Sequence, residues 1–135
     1  MAAESYARIK GFPAIINVTA GPGAINAING VFGAFVDSIP MIVISGQAKR
    51  ETLICNSGLA ELRQLGDQEV DIVRMVSGVC KQASVIQDPL AIADAIDDAF
   101  AEAASFNAII KLRRTCTAFP ASFSVIASDA CVAAL

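Results

Sequence analysis

The sequence predicts an α/β fold in three layers, in which a mostly parallel sheet carries helices on both faces. Short apolar runs at residues 14–19, 41–45, 81–86 and 108–112 have the length of buried strands. Segments with helical spacing separate these runs, and glycine, proline or aspartate stands at the junctions. Such alternation favours parallel strands joined by crossover helices.

The first half of the chain surrounds a glycine-rich turn. Residues 2–9 predict a helix, and residues 14–19 predict a strand that is buried on both faces. Residues 23–35 predict a second helix with small residues at close-packing spacing, and residues 41–45 predict a second strand. Residues 51–66 lack clean periodicity, so we expect mostly loop there.

The second half predicts two helices and two further strands, at residues 81–86 and 108–112. We expect Asp67 to open a short helix, and Asp88 with Pro89 to start a longer one. The longer helix turns its acidic residues outward, and we interpret them as a solvated face rather than a metal site. These residues are Asp94, Asp97, Asp98 and Glu102.

The last stretch of the chain loses this pattern. Residues 113–135 show neither helical nor strand spacing, and the sequence leaves open whether they pack on the sheet or are disordered. We therefore predict one domain at residues 1–112 and a divergent tail at residues 113–135 that is not a separate domain.

Composition excludes several classes of function. The chain of 135 residues is 55% apolar and 17% charged, with a net charge of −3, which argues against nucleic acid or anionic membrane as the main partner. It has no histidine, and its four cysteines form no C-x-x-C pair, so zinc spacing is absent. Asp37 and Pro40 interrupt the most apolar window, which is too short to span a bilayer. We expect a soluble protein of the reducing cytoplasm.

The most informative motif is the turn between the first strand and the second helix, with the sequence NVTAGPGAINA at residues 17–27. Glycines there allow another molecule to approach the main chain, and the start of a helix leaves N–H groups free. Gly21-Pro22-Gly23 taken alone is most often only a tight turn.

Three other motifs accompany this turn in order along the chain. They are AESYAR at residues 3–8, DSIPMIVISGQ at residues 37–47 and RQLGDQE at residues 63–69. Together the four motifs resemble the pyrimidine-binding domain of thiamine-diphosphate-dependent enzymes, in the acetolactate-synthase-like group. The resemblance covers about three quarters of the chain, and it implies a flavodoxin-like domain that is truncated at its N-terminus.

The resemblance also implies roles for individual residues. Gly21, Pro22, Gly23 and Asn26 would form the wall against which the aminopyrimidine ring of the cofactor lies. Gln68 would face the reaction chamber near the thiazolium ring, and Gln47 would lie near the same cavity. Two alternatives stay open, since Asn26 can also bond its own turn and Gln68 can be a solvated loop residue.

The departures from the family pattern concern catalysis. The family's catalytic glutamate precedes the segment that matches residues 1–8, and Glu4 is not its counterpart. The diphosphate-binding domain, with its Gly-Asp-Gly magnesium motif, is also missing from these residues. We therefore predict no catalytic residue and no metal ligand in this chain, which we expect to be inactive alone. Whether flavin (FAD) is used stays undecided.

The end of the matching region departs from the family too. Residues 105–114 lack the family's closing Gly-Arg-Pro-Gly-Pro turn and its Asp-Ile-Pro strand end. Either this segment is a divergent edge strand with a tail, or the last thirty or so residues are translated out of frame. The sequence leaves both explanations open.

The resemblance predicts a thiamine-diphosphate-binding fragment of an enzyme that acts on 2-oxo acids. The complete enzyme would form or cleave carbon–carbon bonds, as a transferase or lyase, with thiamine diphosphate and magnesium, and would be a homo-oligomer. Two other classes stay open. A non-catalytic interaction or subunit-assembly module would pair through an exposed sheet edge, and a small domain would bind an anion or nucleotide at the helix start near Gly23.

Overall fold

The computed structural model of the chain describes residues 1–59 and 61–105, together with the backbone of two strands at Phe123–Ala127 and Val132–Ala134. The helices are α1 (Ala2–Lys10), α2 (Pro22–Val36), α3 (Ile54–Ser57), α4 (Ile72–Val76) and α5 (Ile92–Ala104). The strands are β1 (Ala14–Val18), β2 (Met41–Ser45), β3 (Gln82–Ile86), β4 (Phe123–Ala127) and β5 (Val132–Ala134). Two 3₁₀ turns, Arg50–Thr52 and Pro89–Ala91, complete the described elements.

These strands form one sheet, in the order β1-β2-β4-β3-β5 with additional pairings of β5 to β2 and β4. β1 runs parallel to β2, and β5 runs parallel to both β2 and β3. β4 is antiparallel to its neighbours β2, β3 and β5. The predicted α/β fold with a mostly parallel sheet is therefore confirmed, whereas the strand predicted at residues 108–112 lies outside the described residues.

β2 separates the two helical layers. Met41 and Val43 pack with α2 and α4 in one buried cluster, whereas Ile42 packs with α5 in the other. Because successive side chains of a strand point to opposite faces, this division confirms helices on both faces of the sheet. Met41 and Ile42 are both fully buried.

α1 lies across the small residues of α2. A Cβ atom at Gly30 would lie 2.9 Å from the Met1 nitrogen, and a Cβ atom at Gly33 would lie 3.6 Å from the Glu4 carboxylate. Arg8 bonds Glu4 at 2.9 Å and also pairs with Asp37, the residue that ends α2. The small residues of α2 that were predicted at close-packing spacing therefore pack against α1.

The structure corrects the interpretation of β1. Predicted to be buried on both faces, β1 alternates instead: Ile16 and Val18 pack against the core, whereas Ile15 is 50% exposed. The reason is its position at the edge of the described sheet, where β2 is its partner and α2 covers one face. An apolar run alone does not say how many of its faces are covered.

Two other predictions change in detail. α4 is capped by Asp71, whose carboxylate accepts from the Arg74 N–H at 2.9 Å, and not by Asp67. The described residues of 51–66 are mostly loop, as predicted, and include the four-residue helix α3 and most of a 3₁₀ turn. Within residues 113–135, where no element was predicted, β4 and β5 pair with the sheet.

No helix in the described ranges is both long and apolar enough to cross a membrane.

Candidate functional site

The candidate site lies where β1 and β2 end side by side. The two strands are parallel and in register, with Val18 opposite Ser45. Beyond them the Gly46 N–H donates to the Val18 carbonyl at 2.9 Å, and the Ser45 hydroxyl, almost fully buried, donates to the Gly46 carbonyl at 3.1 Å. The segments that leave the two strands therefore start at one edge of the sheet, where open α/β sheets bind their ligands.

The turn after β1 is packed against a distant loop. Gly21 is buried, with φ +57° and ψ −109°, a conformation that favours glycine. A Cβ atom there would lie 2.5 Å from the carbonyl oxygen of Gln68 and 2.9 Å from its Cβ atom. The missing side chain of Gly21 thus gives Gln68 room to approach, which brings together two of the predicted site residues.

Gln47 joins the end of β2 to the same loop. Its Nε2 donates to the Val70 carbonyl at 2.7 Å, and its Oε1 accepts from the Ala48 N–H at 3.0 Å. Both ends of the amide are therefore used within the protein. The structure places Gln47 at the end of β2, as a side chain that holds the loop two residues beyond Gln68.

A carboxylate that the sequence interpretation missed holds the other side of the loop. Glu69 accepts from the Ile54 N–H at 2.9 Å through Oε1 and from the Gly66 N–H at 3.1 Å through Oε2. Glu69 was part of the RQLGDQE motif, but no role was predicted for it. Its spacing of three residues from Gly66 was the available signal, because a side chain can reach a backbone N–H across such a short turn.

The first turn of α2 presents the remaining candidates. Pro22 and Asn26 are both exposed, and their spacing of four residues places them on one face of the helix. Gly23 is half-buried, and a Cβ atom there would lie 2.6 Å from the Thr19 methyl group. An apolar ring edge beside an amide that both donates and accepts is suited to a flat heteroaromatic ring. The residues present therefore fit the pyrimidine end of thiamine diphosphate.

Gln68 is exposed and has φ +57°, which is uncommon for a residue other than glycine. It follows Asp67 in a turn that the bond from the Glu69 N–H to the Gly66 carbonyl closes at 3.2 Å. The side chain of Gln68 is therefore on the surface of the loop that packs against Gly21.

Two further features lie elsewhere in the fold. A cavity of about 710 Å³, lined mainly by apolar residues such as Phe12 and Phe100, opens at the amino ends of β1 and β2, opposite the candidate site. Lys81 is buried and donates to the Glu102 carbonyl at 3.0 Å, so it caps the end of α5. Among the residues described, no three His, Cys, Asp or Glu side chains are grouped so that they could hold a metal ion.

Comparison with known proteins places this sequence in a family. Residues 1–75 match the family model described as thiamine pyrophosphate enzyme, N-terminal TPP binding domain. Acetolactate synthase 2, chloroplastic, of Nicotiana tabacum is 34% identical over 99 residues, which are 73% of this chain and 14% of that protein. The acetolactate synthase large subunit of Parasynechococcus marenigrum is 35% identical over 104 residues, covering 77% of this chain and 15% of that protein.

A third relative is the acetolactate synthase large subunit of Buchnera aphidicola subsp. Schizaphis graminum, which is 58% identical over 45 residues, 33% of this chain and 8% of that protein. The chain spans about one seventh of the length of the tobacco and cyanobacterial relatives. The matched family model includes the turn at Gly21, the end of β2 and the loop at Gln68. The chain belongs to the thiamine pyrophosphate enzymes and contains the N-terminal TPP-binding domain of their acetolactate-synthase-like members.

Proposed function

We propose that the turn at residues 21–26 is the wall of the cofactor site, against which the aminopyrimidine ring of thiamine diphosphate lies. The observation that carries this proposal is the packing of Gly21 on Gln68 at the carboxyl edge of the sheet. It fixes the start of α2 so that Pro22 and Asn26 face outward together. Pro22 then packs on the ring, and the Asn26 amide bonds its nitrogen atoms.

Gln68 and Gln47 are assigned to the neighbouring part of the pocket. Gln68, exposed on the loop beside Gly21, faces the thiazolium side and the substrate. Gln47, whose amide is bonded to Val70 and Ala48, sets the position of that loop. The function of Gln47 is therefore to orient its neighbours.

The complete enzyme acts on a 2-oxo acid and forms or cleaves a carbon–carbon bond next to its carbonyl group. Thiamine diphosphate supplies the carbanion chemistry when it is bound, and magnesium holds its diphosphate. The three relatives described above, all acetolactate synthases, support this assignment. This chain contributes the ring wall, and we expect no turnover from it alone.

We also propose that the complete protein is a homo-oligomer of the cytoplasm. The outward stripe of α2 supports assembly, because Phe32 is 52% exposed and Val36 is 63% exposed on a helix whose other face is buried. Cys80 is a buried free thiol, in keeping with a reducing compartment. A concentration-independent monomer in sedimentation would contradict assembly through this surface.

Calorimetric titration with parts of the cofactor tests the proposed site. Thiamine, which lacks the diphosphate, should bind the chain and compete with thiamine diphosphate, whereas pyrophosphate and ATP should not. Asn26→Ala should weaken thiamine binding about tenfold through the loss of one or two hydrogen bonds. Asn29→Ala, at an exposed asparagine one turn along α2, is the matched control and should leave the affinity unchanged.

Pyrophosphate binding without thiamine binding would overturn the assignment in favour of an anion site at the start of α2. Equal effects of Asn26→Ala and Asn29→Ala would remove Asn26 from the ring wall.

A further inference from the structure

The loop at residues 66–70 is held in place from two sides. On one side the Glu69 carboxylate accepts from the N–H groups of Ile54 and Gly66, at 2.9 and 3.1 Å. On the other side Gln47 donates to the Val70 carbonyl at 2.7 Å. Hydrogen bonds to a carboxylate are stronger than those to a neutral amide. Glu69 is therefore the stronger of the two anchors.

Gln68, in the loop that Glu69 and Gln47 hold, has an energetically unfavourable backbone conformation. Gln68 has φ +57°, and a residue other than glycine keeps such a conformation only where its surroundings hold it there. Its carbonyl oxygen and Cβ atom occupy the space beside Gly21 that a side chain would fill. We expect release of either anchor to let Gln68 relax to negative φ, which would move its backbone away from Gly21.

We propose that Glu69 is a positioning residue for the cofactor wall: its carboxylate holds the Gln68 backbone against Gly21 and so fixes the turn that carries Pro22 and Asn26. This inference rests on the proposed function of that turn. Each oxygen of Glu69 accepts from a backbone N–H group, so the carboxylate acts through the loop.

The test uses Glu69→Gln in the full chain, with Glu61→Gln, at an exposed glutamate, as the matched control. The glutamine side chain keeps one oxygen that can accept from a backbone N–H group. Its NH₂ group replaces the other oxygen and faces the second backbone N–H group, from which it cannot accept a hydrogen bond. Amide exchange at Gly66 and Ile54 should accelerate about tenfold, the factor expected for one such hydrogen bond. The Gly21 amide resonance should shift as well, although Gly21 does not bond Glu69. Glu61→Gln should change neither.

Thiamine affinity separates positioning from simple stabilisation of the fold. Glu69→Gln should weaken thiamine binding about tenfold, whereas Asp88→Ala, which removes a distant helix cap bonded to the Leu90 N–H at 2.9 Å and lowers the stability of the fold, should leave thiamine binding unchanged. A residue that only stabilises the fold would behave like Asp88. If Glu69→Gln does not fold, Glu69→Asp retains the charge but reaches one donor, and the same readouts apply with smaller changes.

An unshifted Gly21 resonance, or unchanged thiamine affinity in a variant whose loop exchanges faster, would overturn the inference. If the unaltered chain does not bind thiamine, the proposed function fails. The Gly21 resonance of Glu69→Gln then decides alone whether Glu69 positions this turn.

Discussion

Gly21→Ala directly tests the contact between the turn after β1 and the loop at Gln68. Two separate costs are expected at this position. The first is conformational, because φ +57° with ψ −109° is unfavourable for an L-residue. The second is steric, because the new methyl group would lie 2.5 Å from the Gln68 carbonyl oxygen. The neighbour is backbone, so it cannot turn aside as a flexible side chain would.

The two costs have comparable size. The left-handed helical conformation costs an alanine about 1–2 kcal/mol relative to glycine. Gly21 has ψ −109°, outside that region, so its conformational cost should be at least as large. Overpacking of a buried position costs about 1–3 kcal/mol more, so Gly21→Ala should lower the free energy of unfolding by about 2–5 kcal/mol or more, which is a large part of the stability of a small domain.

Gly11 provides a control for a positive φ without a steric neighbour, in the αL region that an alanine adopts more readily than the ψ of −109° at Gly21. It ends α1 with φ +62°, and a Cβ atom there would have no neighbour within 4 Å. Gly11→Ala should therefore cost only the conformational part, about 1–2 kcal/mol. Urea denaturation followed by circular dichroism measures both variants. If Gly21→Ala is no more destabilising than Gly11→Ala, Gln68 does not occupy the space beside Gly21, and the proposed support of the cofactor wall is refuted.

Two further predictions concern α4 and Lys81. Asp71→Ala should destabilise the chain by about 1 kcal/mol through loss of the helix cap. Asp67→Ala should have little effect in the same urea assay. A larger loss of stability in Asp67→Ala than in Asp71→Ala would contradict the observed start of α4. Burial lowers the pKa of Lys81 below 10.5. The unfolded chain therefore binds this proton more tightly than the folded chain does. Because of this difference, the free energy of unfolding should rise as the pH is raised towards 10.5. Lys81→Gln should reduce that rise relative to the control Lys49→Gln, and an unchanged pH dependence would contradict the effect of burial.

The sequence predicted best the elements whose first and last residues are determined by the residues next to them. β2 begins after Pro40 and ends before Gly46, and its bounds, Met41–Ser45, are those predicted. The pair Asp88 and Pro89 did start a helical segment, with the Asp88 carboxylate bonded to the Leu90 N–H at 2.9 Å. Capping and breaking residues act on their immediate neighbours, so a single sequence can locate them.

The start of α4 depended on distant contacts instead. Asp67 and Asp71 are equally good caps by residue type, and local sequence does not choose between them. The choice is made by the loop between them, where Gln47 bonds Val70 and Gln68 packs on Gly21. These partners are 23 and 47 residues away along the chain, beyond the reach of a periodicity argument. The exposure of Ile15 was missed for the same reason.

At the candidate site, the residue types alone predicted the turn but not the reason why glycine is needed in it. The glycines of the turn were interpreted as room for a ligand to approach the main chain. In the structure the space at Gly21 is filled by Gln68, and the space at Gly23 by Thr19. Glycine is therefore needed here so that protein segments can pack closely, and the exposed surface of the turn is that of Pro22 and Asn26, which we propose as the ring wall. It follows that substitutions at the glycines should act on cofactor binding through the shape of the turn, whereas a substitution at Asn26 should change binding without changing stability.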